Sequence, residues 1–328
     1  MYPFELFSEC PVHTRFDKSV LMDHCALAKT AELHQFAGSL VYYEHLSLDP
    51  FIAVSYIFQK TKRHIPLIAL QPYAMPPFTA AKIVHSILSL YRRKLYLNMV
   101  SGQVERELEE VGDTLDKKAR YRRLIEYTTI VRLLLTSNEP LTFQGDYYHY
   151  KNLQINSAVP PDLMPKIYLA SGSGSSESLQ AASQVGDVLL SIADSKANFQ
   201  EKFISRATEQ KLEFGMKVNI ISGRTKEEAL TKARQSSKFR ERTISRNMLK
   251  AELRLTAEEE ELYYPGNGDR GNAPLWVGSY EQVAAYAQSF VNLGVSHFII
   301  QNADRNDTVI DCGEVFRMVK RPAEIVRP

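Results

Sequence analysis

The chain is predicted to be an α/β protein closed into a (β/α)8 barrel. Short apolar runs alternate with longer segments of helical period over nearly all of the 328 residues, and eight such runs are enough to close a barrel. Several runs (IPLIAL, LYLNMV, VNII, HFII) are apolar on both faces, as strands covered on both sides must be. An open doubly wound sheet would place a glycine fingerprint after the first strand, and FSECPVHTRF has none.

In chain order the strand runs are Phe4–Glu9, Gly38–Tyr43, Ile65–Gln71, Leu95–Ser101, Lys166–Ser171, Asp187–Ser191, Met216–Ser222 and Ser296–Gln301. Segments with helical spacing lie between them: Val20–Phe36, Phe78–Arg92, Tyr121–Leu135, Ser176–Val185, Asn198–Gln210, Lys226–Arg240 and Tyr280–Leu293. Parallel strands need crossovers of this length, so each pair reads as a βαβ unit. Two stretches interrupt the alternation. Pro140–Pro165 reads as a β-hairpin turning at Gln144-Gly145-Asp146 with a proline-rich connection behind it. Ala257–Pro274 is acidic and then glycine-rich, and is expected to hold a mobile loop. With no repeat or linker in view, residues 1–328 read as one domain with insertions near 140–165 and 257–274.

Composition removes several classes of function. At 44% apolar and 24% charged residues, the chain is globular rather than disordered. A net charge of +2 provides no electrostatic footprint for nucleic acid. No stretch reaches the roughly 18–20 apolar residues of a membrane span, and MYPFELFSEC has no basic segment leading into an apolar core, so no export signal is read. Cys10, Cys25 and Cys312 are widely spaced and form no CxxC pair. That argues against structural zinc or a disulfide framework and fits the cytoplasm.

The strongest local signal is Ser171-Gly172-Ser173-Gly174-Ser175-Ser176, which leaves a strand (KIYLAS) and enters a helix. Small residues let backbone amides approach an anion, and a helix N-terminus adds a favourable dipole, so the segment suits a phosphate monoester. An ordinary Ser cap would explain one serine, not six consecutive Gly or Ser residues. Asn98 is the polar residue of LYLNMVSG; its amide must be met by a planar heterocycle at the rim or by a neighbouring loop. Glu44, His45, Ser47 and Asp49 follow the second strand, where barrel enzymes keep catalytic groups, and His45 is the best-placed proton carrier. Tyr42, Tyr43, Tyr73 and Phe78 are either pocket-facing aromatics for an organic substrate or plain core. Among the other histidines His13 could face the pocket, His24, His34, His64, His85 and His149 read as surface, and His297 lies in a strand. No HxH or HxxxH pair marks a metal, and no GxSxG elbow marks a serine hydrolase.

Taken in order, these pieces resemble the luciferase-like flavin-dependent monooxygenase family, TIM-barrel enzymes that include alkanesulfonate monooxygenase. The likeness runs from about Asp23 to Arg317 and is carried by Ile68–Pro72 with Thr79–Lys82, LYLNMVSG, Arg120-Tyr121 with Glu126, Phe143-Gln144-Gly145, SGSGSS, Arg224-Thr225 with Glu228-Ala229, and Leu275–Ser279 with Gln282-Val283. It implies FMN, reduced by a separate NAD(P)H-dependent flavin reductase, with O2 as co-substrate and one oxygen atom passed to an organic substrate. It places the flavin phosphate on Ser171, Gly172, Ser173, Gly174, Ser175 and Ser176, the ring against Asn98, Leu70 and Gln71, and a ring-edge or ribityl contact at Tyr121. By the same analogy the chain is a homo-oligomer, dimer or tetramer.

Departures from alkanesulfonate monooxygenase narrow the substrate. Its Cys after strand two falls on Ser47, its strand-seven Arg and His on Lys217 and Asn219, and its last Tyr on Ala303; the mobile-loop Arg falls on Arg270. Two proton-handling groups are gone, so sulfonate cleavage is not expected. YYEHLSLDPF, ALQPYAMPPFTAAK and LYLNMVSGQ are similar instead to a branch found with polyketide and nonribosomal peptide assembly lines. That branch implies oxygen insertion or hydroxylation of a small or carrier-bound intermediate. The expected catalytic residues are His45 and Ser47, with Lys217 and Arg270 orienting a carboxylate, thioester or other polar handle. The competing expectations are an F420- or nicotinamide-linked hydride transfer on the same fold, and a non-catalytic flavin-binding relative.

Overall fold

The computed structural model describes residues 4–11, 19–102, 104–172, 174–206, 212–266 and 273–320. Its parallel strands are β1 (Glu5–Glu9), β2 (Gly38–Val41), β3 (Ile65–Leu70), β4 (Tyr96–Met99), β5 (Ile167–Ser171), β6 (Val188–Ile192), β7 (Glu213–Gly223) and β8 (Val295–Ile300). Each pairs with the next, β6 pairs with β7, and β8 returns to β1 through Leu6↔Phe298 and Phe7↔Ile299. The barrel is therefore closed, and every one of the sequence-predicted strand runs contributes a stave.

Inward positions alternate with outward ones along each strand. Phe7, Leu40, Leu67, Tyr168, Leu190 and Ile299 meet on the barrel axis and plug it. The outward residues pack under the helices in one continuous apolar shell. Gly38 is required where β2 begins, because a Cβ there would lie 1.6 Å from the Ile65 carbonyl oxygen.

Local sequence explains where the helices start. Asp49 accepts hydrogen bonds from the amides of Phe51 and Ile52, and Pro50 occupies the first turn of helix Pro50–Lys60. Asp116 caps helix Lys117–Thr136, Ser175 caps Ser176–Val185, and Ser279 with Gln282 forms a capping box on Tyr280–Asn292. Helix Asn306–Arg317 completes the alternation.

Several expectations change. Lys226–Arg240 is not one helix: Gln235 and Ser236 end Lys226–Arg234, and a second helix, Ser237–Met248, follows. Polar side chains that compete for backbone hydrogen bonds favour such a break. The described part of Asn198–Gln210 is a short helix, Lys196–Phe199, running into a π-helical turn, Gln200–Ile204, and residues 207–210 lie outside the described residues. The acidic half of Ala257–Pro274 is helical (Ala257–Leu262), because Thr256 and Glu259 form a capping box; residues 267–272 lie outside the described residues. His24 and His64 are buried rather than on the surface. The His24 Nε2 lies 2.6 Å from the Pro11 carbonyl, and burial pushes His64 down to about 4. The predicted hairpin is present as Leu141–Gln144 against His149–Leu153. Its turn is held by Glu126, whose carboxylate accepts from the amides of Asp146, Tyr147 and Tyr148.

β7 is longer than its neighbours. Its first half lies in the barrel, and its second half pairs with a side strand, Leu275–Ser279, from Leu275↔Asn219 to Ser279↔Gly223. Tyr263–Tyr264 then adds antiparallel to that strand. The β7–β8 connection thus builds a small extra sheet at the C-terminal end of the barrel, the end where barrel enzymes place their chemistry.

Candidate active site

Above the apolar plug, the inward positions turn polar. Tyr96 belongs to the plug, so Asn98, two residues on, faces the same interior one layer nearer the C-terminal mouth. Ala69 is its register partner, which puts Gln71 on the neighbouring strand end with the same parity. Both carboxamides are buried, and the Asn98 Oδ1 and Gln71 Oε1 have no hydrogen-bond partner among the described residues. Gln71 is oriented by its Nε2, which donates to the Tyr43 carbonyl at 3.4 Å. Buried orphan acceptors are rare because each forfeits its hydration.

Three further inward residues meet across the interior. Lys217 of β7 lies 2.8 Å from Glu9 of β1. It also donates to the Tyr42 hydroxyl, which in turn donates to Glu9, and its ammonium lies 4.7 Å from the centre of the Tyr42 ring. Burial pushes the Glu9 carboxyl up; Lys217 and Tyr42 pull it down, and Asp304 adds to the rise. Glu9 is a member of this site that the sequence reading does not single out. Strand parity was the available signal, since Glu9 stands two residues after the inward Phe7.

The Gly/Ser segment forms the turn from β5 into helix Ser176–Val185. Gly174 has φ +65°, and a Cβ on it would lie 3.3 Å from both the Lys202 carbonyl oxygen and the Phe203 ring. The turn is therefore tightly packed against the π-helical segment, and π-turns recur at functional sites. Arg206 beyond that segment donates to the Gly174 carbonyl at 2.6 Å, bringing a cation the sequence reading missed. Ser175 caps the helix, and the Ser171 hydroxyl lies 2.6 Å from that of Ser178, so the Ser171 side chain faces the helix. Ser176 is the first helical residue, and Ser173 lies outside the described residues. Tyr121 is buried beside the turn with the hydroxyls of Ser101 and Ser178 as partners, and burial pushes its phenol up. The adjacent Arg120 has a buried, unpartnered Nε. Gly172 also borders a rim cavity of about 520 Å³ lined by Asp194, Asn198, Lys202, Leu253, Arg254 and Tyr263.

His45 sits in the loop after β2. Its Nδ1 lies 2.6 Å from Glu110, its Nε2 is buried without a partner, and its ring is edge-on to Tyr43 and Tyr73 at 6.0 Å each. The carboxylate fixes the ring and leaves the second nitrogen available for proton transfer. Ser47 instead closes its own turn, its hydroxyl donating to the Glu44 carbonyl at 3.1 Å. Leu70 points outward into the helical shell, and Arg270 lies outside the described residues. Among the described residues, no group of His, Cys, Asp and Glu is placed to hold a metal ion, and no helix is long and apolar enough to cross a membrane.

The opposite mouth is also polar. Tyr96 and Tyr168 donate to Glu5 at 3.0 and 3.2 Å. His297 lies 2.5 Å from Glu213, and Lys166 donates to Glu213 at 3.0 Å. A cavity of about 640 Å³ opens beside this cluster.

Comparison with known proteins follows the same lines. A family profile described as luciferase-like monooxygenase matches residues 7–297. A 4-(γ-L-glutamylamino)butanoyl-[BtrI acyl-carrier protein] monooxygenase of Niallia circulans, BtrO, is 33% identical over 325 residues, 94% of this chain and 95% of that protein. The crystal structure of long-chain alkane monooxygenase superposes with a TM-score of 0.75 at 14% identity, covering 99% of this chain and 93% of the other. An F420-dependent secondary alcohol dehydrogenase superposes with a TM-score of 0.69 at 17% identity, covering 97% and 99%. At such identities the two structures speak to the fold alone.

Proposed function

The chain belongs to the luciferase-like monooxygenase family, and from that premise we propose that it is an FMN-dependent oxygenase acting on a carrier-bound acyl substrate. The observation that carries the cofactor reading is the pair of buried amide oxygens, Asn98 Oδ1 and Gln71 Oε1, that no group among the described residues satisfies. A heterocycle with a ring N–H supplies the donor they lack, and the β5 turn suits the phosphate of the same molecule. The residues present therefore fit FMN. Asn98 and Gln71 would hold the ring edge, with Gly172, Gly174, Ser175 and Ser176 cradling the phosphate and Tyr121 bracing the turn.

Reduced FMN, delivered by a separate NAD(P)H:flavin reductase, supplies the activation of O2 and the oxygen atom passed on. The chain's own part is to bind, orient and keep water out. His45, fixed by Glu110, holds and moves a proton at its Nε2, beside the aromatic wall of Tyr43 and Tyr73. The apolar plug beneath Asn98 closes the site from below, which strengthens polar interactions above it. Lys217 offers a cation to an anionic edge of cofactor or substrate. The carrier-bound substrate is supported by the relative from Niallia circulans, whose printed activity is on an acyl group attached to a carrier protein. The rim cavity beside Gly172 suits the arm of such a substrate.

The test is a visible-absorbance titration with FMN, followed by turnover of acyl thioesters on a carrier protein with pre-reduced FMN under ¹⁸O₂. Saturable binding and one labelled oxygen atom in the product are expected. Folded protein that binds no FMN overturns the cofactor assignment, and product without label points instead to hydride transfer.

A further inference from the structure

We propose that Glu9 is a positioning residue: with Tyr42 it holds the Lys217 ammonium at the floor of the C-terminal mouth, where that charge favours the reduced, anionic form of bound flavin. The inference rests on the reading that FMN binds in this mouth.

Glu9, Tyr42 and Lys217 come from β1, from the end of β2 and from β7, and they meet only because all three point inward. The side chains of Lys217 and Glu9 are 14% and 8% exposed, so both groups have given up most of their hydration. An ion pair this deep is not a stability device, since well-packed apolar residues of similar volume do as well or better. The layer immediately below is built that way, from Phe7, Leu40 and Ile299. Above the plug the next inward layer carries this pair, in the same direction along the strands as Asn98 and Gln71. An ammonium has three N–H donors. Among the described residues Glu9 and Tyr42 occupy two, leaving one for a ligand. The Tyr42 hydroxyl and the Glu9 carboxyl restrict the long lysine side chain to one place. Asp304 is the other charged group acting on Glu9. A fixed positive charge in a desolvated site binds a ligand more tightly in the state that carries negative charge, and reduction of a flavin creates that state.

The experiment is anaerobic titration with oxidised and with reduced FMN, on the whole chain and on Glu9→Gln, Glu9→Asp, Tyr42→Phe, Lys217→Met and Glu9→Gln/Lys217→Met. The readout is the ratio of the two affinities, which a purely structural role would leave unmoved. The unaltered chain should prefer reduced FMN. Lys217→Met and the double variant should lose about ten- to a hundredfold of that preference, the worth of one charge-assisted hydrogen bond. Glu9→Gln should lose most of it with Lys217 intact, Glu9→Asp should restore part, and Tyr42→Phe should fall between. The double variant removes both charges together and so remains informative if Glu9→Gln alone does not fold. An unchanged ratio in Lys217→Met and the double variant overturns the inference. So does equal affinity for both forms in the unaltered chain, with FMN binding itself intact. Binding of neither form overturns the reading beneath it.

Discussion

The two mouths of the barrel are both lined with buried polar groups, but they differ in whether those groups satisfy one another. At the N-terminal mouth Glu5, Tyr96, Tyr168, His297, Glu213 and Lys166 form a connected network, and no side-chain atom of the six is left buried without a partner. At the C-terminal mouth the amide oxygens of Asn98 and Gln71 and the Nε2 of His45 are buried and unmet. The N-terminal cavity is the larger of these two, about 640 Å³ against about 520 Å³ at the rim, so volume alone would choose the end whose polar groups already satisfy one another. A satisfied network needs nothing from outside and serves stability. Unsatisfied buried atoms define what a ligand must bring.

The comparison breaks most visibly at His297. Replacing it by Leu removes the group that joins the fully buried Tyr168 to the partly exposed Glu5 and Glu213, and each of the three loses one partner. A loss of about 2–4 kcal/mol in urea unfolding is expected, less than for a fully buried pair because both carboxylates are partly exposed. FMN affinity of the folded fraction should not change. A variant of normal stability that no longer bound FMN would reverse the roles assigned to the two ends.

Asn98→Leu should behave in the opposite way. It removes an unpartnered acceptor from an apolar surrounding, so stability should stay within about 1 kcal/mol or rise. FMN affinity should fall about tenfold or more, because the ring loses a buried hydrogen-bond partner. Tight FMN binding by this variant would move the ring away from β4.

How much of this was legible in the sequence depended on whether a residue's role was set locally. The eight staves were readable because strands covered on both faces need apolar residues at every position, and the β5 turn because six small residues in a row have few other uses. Asn98 stood out as one polar residue in an apolar run. Glu9 did not, because its importance comes from meeting Lys217 and Tyr42 across the barrel, a contact between strands far apart in the chain. The Arg206 contact with Gly174 and the Glu110 contact with His45 were hidden for the same reason. His24 and His64 were misread as surface because nothing in their neighbours reports which side of a helix or strand end is covered.

The smallest effect sharpens the comparison through acid. The Glu213 carboxyl is held down to about 2, first by its hydrogen bond with His297 and then, against burial, by Lys166. A carboxyl lowered on folding stabilises the native state at any pH above its unfolded value. That contribution is whole above about pH 4.5 and is lost as the pH falls through about 2. Because the side chain is 46% exposed, solvent screens the interaction and the loss should be modest. Urea midpoints measured from pH 6 down to pH 2 should therefore fall more steeply for the unaltered chain than for Glu213→Gln, with the two curves converging at the acid end. Parallel curves would mean that the N-terminal network draws its stability from packing alone, and that charge distinguishes only the mouth proposed to bind FMN.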